Sequence, residues 1–284
     1  MNEKKNEIVS VIIPTFNRAH VLGNALDSVM AQTYSPIETI VVDDGSTDRT
    51  PDLLAGYGGK IKVLTQENKG VSAARNLGIR HSKGDFIALL DSDDTWTPDK
   101  ISRQVAFFQD NSEALICQTE EIWIRNGRRV NPRVKHRKPS GMIFIPSLKL
   151  CLVSPSAVMM RRGLFDLRGF FNEAFVVCED YDLWLRISRD IPVYLIDAPC
   201  TVKHGGHGDQ LSAGHSQDKY RIASILNLLK EKVLSKPQEE AAIKVLCKKC
   251  RVYGNGCIKR GRREEGEYYL SLGAGFEGQK NALS

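Results

Sequence analysis

The chain has 284 residues, 42% hydrophobic and 26% charged, a balance that argues against a mainly disordered protein and allows one large core or two small ones. Net charge is +6, modest for this length, and the absence of any run of about 18 apolar residues argues against a transmembrane helix. Seven cysteines, odd in number and scattered, do not suggest a disulfide framework. The polar start, Met1–Glu7, lacks the apolar core of a signal peptide, so a cytoplasmic protein is expected.

In chain order, Ile8–Pro14 is a continuous β-branched run that reads as a buried strand. Asn17–Gln32 carries Val21, Leu22, Ala25, Leu26, Val29 and Met30 at helical spacing. Ile37–Val42 and Ile61–Leu64 are further strands, separated by a short helix over Thr47–Leu54. Val71–His81 reads as a helix and Phe86–Leu90 as a fourth strand. This alternation predicts an α/β fold with a mostly parallel central sheet flanked by helices on both faces.

Beyond Pro98, a helix over Lys100–Gln109 precedes a strand over Ala114–Ile124. The basic, proline-bearing segment 126–140 then reads as a mobile loop or hairpin. Ala157–Met160 and Val193–Ile196 are short strands, and Glu179–Arg189 is an amphipathic helix. Gly205–Gly214 reads as a flexible surface segment, and Gln217–Leu272 as helix broken at Pro237 and at Gly254–Gly256. Residues 1–212 are therefore expected to form the α/β domain and residues 213–284 a helical C-terminal appendage.

In open α/β sheets, ligands bind beyond the carboxyl ends of the parallel strands. Here those ends are acidic: Asp43-Asp44-Gly45-Ser46 after the second strand and Asp91-Ser92-Asp93-Asp94 after the fourth. The Gly-rich phosphate cradles of common nucleotide folds are missing, so a diphosphate would be held through a hard cation shared with carboxylates. Asp91 and Asp93, two apart on leaving a strand, project to one side and can converge on such an ion. A solvated turn or a helix cap would use the same residue types.

Together, Val9–Arg18, Val41–Asp48, Asn68–Asn76, Leu90–Asp94 and Glu179-Asp180 make the chain resemble the family-2 glycosyltransferases of GT-A fold, over roughly Val9–Ser212. The resemblance implies an inverting transfer of sugar from a nucleotide-diphosphate donor, UDP-linked by preference, to an acceptor hydroxyl. It places Asp44 at the uracil or ribose, and Pro14 and Thr15, continued by Asn17 and Arg18, along the nucleotide pocket. Arg75 would reach the nucleotide, and Asp91, Ser92 and Asp93 would form the donor-side acid motif. A divalent cation, Mn²⁺ or Mg²⁺, would be held by Asp93 and Asp91, with Asp94 and His207 as further candidate ligands. Asp180 would be the general base, with Glu179 beside it at the start of a helix.

His204, His207 and His215 could also suggest zinc, but a convincing fourth ligand is missing. Cys247, Cys250 and Cys257 fit buried thiols on one helical face, and Trp96, Trp123 and Trp184 fit core positions better than sugar platforms. From Arg125 to Lys138 there are seven Lys or Arg and no acid, a stretch suited to an anionic acceptor. A lipid-linked diphosphate sugar is one such acceptor, which adds peripheral contact with the inner membrane face to the expected location. No nucleic-acid partner is expected, since +6 comes without a binding motif. The rival readings are a noncatalytic nucleotide-sugar-binding scaffold and a nucleotidyltransferase; the latter lacks its Gly-rich triphosphate loop.

Overall fold

A computed structural model describes residues 7–131, 136–206 and 217–282. The first half follows the hydrophobic periods closely. Strand β1 (Val9–Thr15) is buried along its whole length, between β2 (Ile37–Asp43) and β4 (Phe86–Leu89), both parallel to it. Strand β3 (Lys62–Thr65) adds to the far side of β2. Alternate β1 residues enter opposite cores, as the two-residue period requires. Val9, Val11 and Ile13 face one layer, with helices α1 (Leu22–Met30) and α4 (Lys100–Asp110). Ile12 faces the other, with α3 (Val71–His81). Gly78 lets α3 sit close: a Cβ there would lie 2.4 Å from the Ile12 side chain. A short α2 (Thr50–Ala55) completes this half.

The second half is mixed rather than parallel. Strand β8 (Val158–Arg161) runs antiparallel to both β4 and β6 (Ile116–Arg125), and β9 (Tyr194–Gly205) returns parallel to β6. The two-residue β5 (Thr95–Trp96) pairs antiparallel at the edge, giving the order β3-β2-β1-β4-β8-β6-β9-β5. Strand β7 (Arg128–Val130) folds back on β6 through Asn126-Gly127, both at positive φ, the conformation of a tight hairpin turn. The expected strand over Val193–Ile196 is thus much longer, because two register shifts let β9 follow β6 out to Gly205.

Helices α5 (Phe144–Ser147), α6 (Gly163–Arg168) and α7 (Glu179–Ser188) precede the C-terminal trio, α8 (Gln217–Glu231), α9 (Lys236–Lys259) and α10 (Arg263–Ala282). Of the two expected breaks in the tail, the first is real, since α8 stops at Glu231 and α9 starts at Lys236, and the second is not. Pro237 lies in the first turn of α9, where its missing N–H costs nothing, behind a Ser235–Gln238 capping box. The Gly254–Gly256 stretch is helical. Gly254 serves close packing instead: a Cβ on it would meet the Gly266 carbonyl oxygen at 2.8 Å, and one on Gly266 would meet the Gly254 oxygen at 2.7 Å. The chain turns at Gly261, which has φ +80°.

Leu246, Cys250, Tyr253 and Cys257 of α9 share a core with Tyr181 and Leu185 of α7 and with Phe144 and Leu148 around α5. The tail helices are therefore packed onto the α/β body. Trp96 and Trp184 are buried, as their patterned positions suggested.

Candidate active site

A cavity of about 720 Å³ opens at the carboxyl ends of β1, β2 and β4, within the range typical of small-ligand sites. It is lined from the sheet by Pro14, Thr15, Asp44 and Asp91–Asp94, from α7 by Glu179 and Asp180, and from α8 by Gln217 and Arg221.

The cavity wall at the ends of β1 and β2 is held by hydrogen bonds between adjoining loops. Asn17 sits at φ 54°, and its Oδ1 accepts the Thr47 and Asp48 amides at 2.8 and 3.2 Å, while its own N–H donates to Ser46 Oγ. The Arg18 amide donates to Thr50 Oγ1. Asp44 is buried, and its carboxylate accepts Gln66 Nε2 at 2.6 Å and the Lys69 and Gly70 amides at 2.9 and 2.8 Å. It thereby shapes the loop that leads into α3 and also faces the cavity. Thr15 Oγ1 is buried and has no hydrogen-bond partner among the described residues.

Behind this wall lies a buried ionic cluster. Arg75, on the inward face of α3, donates through Nη1 to Glu179 Oε1 at 2.6 Å and through Nη2 to Asp91 Oδ1 at 2.7 Å. Its guanidinium also lies over the Phe171 ring at 5.2 Å. Burial would lower the Arg75 pKa, but Asp91 and Glu179 outweigh it and hold the group firmly protonated. For Asp91 burial raises the pKa, and the nearby Arg75 and Lys203 cations reverse the sign and keep it ionised. For Glu179 burial wins over Arg75, and its carboxyl is raised. Glu179 therefore tethers Arg75 from within the first turn of α7.

The three acids after β4 have different partners. Asp94 Oδ2 accepts Ser156 Oγ at 2.6 Å and Oδ1 accepts the His204 amide at 3.1 Å, so both its oxygens are engaged. Burial, reinforced by Asp91 and Asp93 against the opposing Lys203 charge, pushes its carboxyl up to about 7. Asp93 accepts no side-chain hydrogen bond among the described residues, and burial together with Asp91 raises it. Ser92 is buried beside them.

Asp180 is half-buried; its Oδ1 accepts the Tyr181 amide at 2.7 Å and its Oδ2 faces the Cys151 thiol at 3.4 Å. Cys178 before α7 adopts a left-handed conformation, φ 61°, which turns the chain so that Glu179 and Asp180 enter the cavity together.

Lys203 and Arg221, which no sequence motif marks as site residues, also line the cavity. Lys203, near the end of β9, donates to Ser154 Oγ at 3.1 Å; burial would lower its pKa, but Asp94, Glu121, Asp91 and Asp180 raise it. The signal was weak, since Lys203 sits in what reads as the edge of a glycine-rich loop. His207 and His215 lie outside the described residues. Among those described, no cluster of three or more His, Cys, Asp or Glu side chains forms a metal cage.

Residues 10–168 match the profile of glycosyl transferase family 2. The chain belongs to that family. The first curated relatives of this family-2 chain are rickettsial proteins described as uncharacterized glycosyltransferases, 31–34% identical, and the chain spans only 35–65% of their length. A relative from Escherichia coli, the UDP-Glc:alpha-D-GlcNAc-diphosphoundecaprenol beta-1,3-glucosyltransferase WfgD, is 36% identical over 64% of this chain and 70% of its own. In architecture the chain resembles TarS from S. aureus, solved with UDP-GlcNAc (TM-score 0.69, 21% identity, 86% and 71% of the two chains). It also resembles the mannosyltransferase PcManGT from Pyrobaculum calidifontis, solved with GDP-Man and Mn²⁺ (TM-score 0.66, 16% identity, 99% and 81%). These likenesses establish the GT-A fold expected from the sequence.

Proposed function

We propose that this family-2 chain moves a sugar from a UDP-sugar to an acceptor hydroxyl with inversion at the anomeric carbon. The observation that carries the reading is the convergence of Asp180 with the Arg75–Asp91–Glu179 cluster and Lys203 in one cavity at the strand ends. The uracil and ribose lie against Pro14, Thr15 and Asp44, with the loop from Asn17 to Arg18 closing that end. Arg75 fixes the orientation of Asp91 and anchors α7 through Glu179, so the acid motif and the base keep a constant separation. Lys203 supplies positive charge where the diphosphate departs, in a setting dry enough for that charge to count.

Asp180 takes the proton from the acceptor hydroxyl as its oxygen bonds to the anomeric carbon and the bond to the diphosphate breaks. No covalent sugar intermediate is required. Asp94, with both oxygens engaged, acts as a structural strut that joins the acid motif to β9.

The donor set suits a divalent ion. Asp93 and the second oxygen of Asp91 are hard, anionic and crowded, and Mg²⁺ or Mn²⁺ commonly share one or two carboxylates with substrate phosphates. When bound there, the cation would neutralise the leaving diphosphate. Gln217 and Arg221 of α8 add to the cavity lining, which supports a part for the start of the C-terminal segment in the site. By analogy with the named relative, the acceptor is a lipid-linked diphospho-sugar met at the inner membrane face.

A thermal-shift panel of nucleotide sugars with and without Mn²⁺ tests the reading, because a true donor stabilises the fold by mass action. UDP-sugars should raise the melting temperature and be slowly hydrolysed. A scaffold would show the shift without hydrolysis, and no shift with any UDP-sugar would remove the proposal.

A further inference from the structure

One outward surface is unusual in charge. From Ala241 to Arg263 the chain carries no acid, and on α9 the residues Lys244, Lys248, Arg251 and Lys259 are all exposed. At 100° per residue they fall, with Val252 and Ile258, inside roughly 120° of the helix circumference, along about 22 Å of its length. The opposite face holds Leu246, Cys250, Tyr253 and Cys257, packed into the body. These four cations form no ion pair among the described residues, whereas Lys249 is paired with Asp218 and Arg262 with Glu265. Val252 is 56% exposed and Ile258 39%, two branched apolar side chains set among the cations.

The other basic stretch differs. Lys138 turns inward, donating to the Thr119 carbonyl and pairing with Glu121 at 3.1 Å, so part of that charge is consumed within the fold.

We propose that the exposed face of α9 docks on an anionic phospholipid surface, with the four cations at the headgroups and Val252 and Ile258 entering the boundary beneath them. No described helix is long and apolar enough to cross a membrane, so contact of this kind is interfacial. Charge complementarity points to an anionic surface; the apolar side chains between the cations favour a bilayer over a nucleic acid, which offers no apolar layer to receive them. The proposal rests on the lipid-linked acceptor proposed above, and it supplies what that acceptor requires: a fixed orientation of the body on the membrane that carries it. Because α9 shares its core with α7, the helix that bears Asp180, docking also constrains the height of the active site.

The test is co-sedimentation of the full chain with vesicles containing roughly one-third phosphatidylglycerol in phosphatidylcholine, against vesicles of phosphatidylcholine alone. Binding to the anionic vesicles should fall with added salt, and K248E/R251E/K259E should weaken it by about 100-fold or more, each lost cation counting for about fivefold. V252S/I258S should weaken it with the charge intact. Both variants change exposed side chains, and an unchanged melting temperature with an unchanged UDP-sugar shift confirms that the fold and donor site are untouched. Equal binding to both vesicle types, wild-type binding by the triple variant, or preferential binding to duplex RNA in competition would overturn the proposal. Loss of the donor shift in the wild-type chain would instead strike the glycosyltransferase reading.

Discussion

Strands β3, β2, β1 and β4 run parallel and present carboxylates whose hydrogen-bond partners lie within the same half, as when Asp43 Oδ1 accepts the Ser46 amide and Asp44 those of Lys69 and Gly70. Strands β8, β6, β9 and β5 are mixed in direction and bring distant residues to the same cavity. Asp94 meets Ser156 and His204, 62 and 110 residues away, and Arg75 meets Glu179, 104 residues away. The first half thus shapes one rim of the cavity from contacts among its own loops. The reacting side exists only when the long-range contacts close. Substitutions in the two halves should therefore separate: rim changes alter donor affinity, while changes across the seam alter stability and turnover together.

The largest effect should come at the reacting centre. Asp180→Asn should lower kcat by on the order of 10²–10⁴ with UDP affinity retained, measured by product formation and titration. Equal loss of UDP binding would erase the distinction between rim and reacting side. Arg75→Ala leaves Glu179 and Asp91 without their shared cation, and breaking a buried pair in this way should cost about 3–5 kcal/mol in a denaturant titration. A loss well under 1 kcal/mol would mean that the seam does not hold the fold.

Ser156→Ala removes the hydroxyl that donates to Asp94 and accepts the Asp91 amide, an expected cost of about 1–3 kcal/mol by the same titration. The smallest effect is in pH dependence. Lys100, with its ammonium 4.0 Å from the Trp96 ring centroid and 2.6 Å from Gln104 Oε1, is pushed down to about 7 by burial. Between that value and its unfolded one the unfolded chain binds the extra proton, so stability should rise with pH from about 7. The slope should not exceed about 1.4 kcal/mol per pH unit. Above about 9 the neighbouring Cys117 thiol, pushed up to about 12 by burial, acts in the opposite direction. Lys100→Met should flatten the rise between pH 7 and 9, read from melting temperatures across that range.

Part of the site is legible because its signals are local. Helix α3 begins after Gly70 and ends at His81 as the 3.6-residue period predicts, and β1 to β4 lie within a residue or two of their apolar runs. The acids at the ends of those strands are equally plain. Lys203 is not, because β9 is drawn out past its apolar start by pairing with β6, and a lysine at its end reads as loop charge. Gly254 likewise reads as a helix breaker, although its role is to let α10 approach α9.

Sequence alone determined the order of strands and helices from β1 to β4, the acidic strand ends and the chemistry they can support, since each depends on side chains a few residues apart. Tertiary structure decided which carboxylates are engaged and which still face the cavity, and that α8 brings Gln217 and Arg221 to its lining. Those outcomes depend on pairings across 60 to 110 residues, such as Asp91 with the Ser156 hydroxyl and Asp94 with the His204 amide. No local period encodes them, because their energy appears only when the sheet has closed.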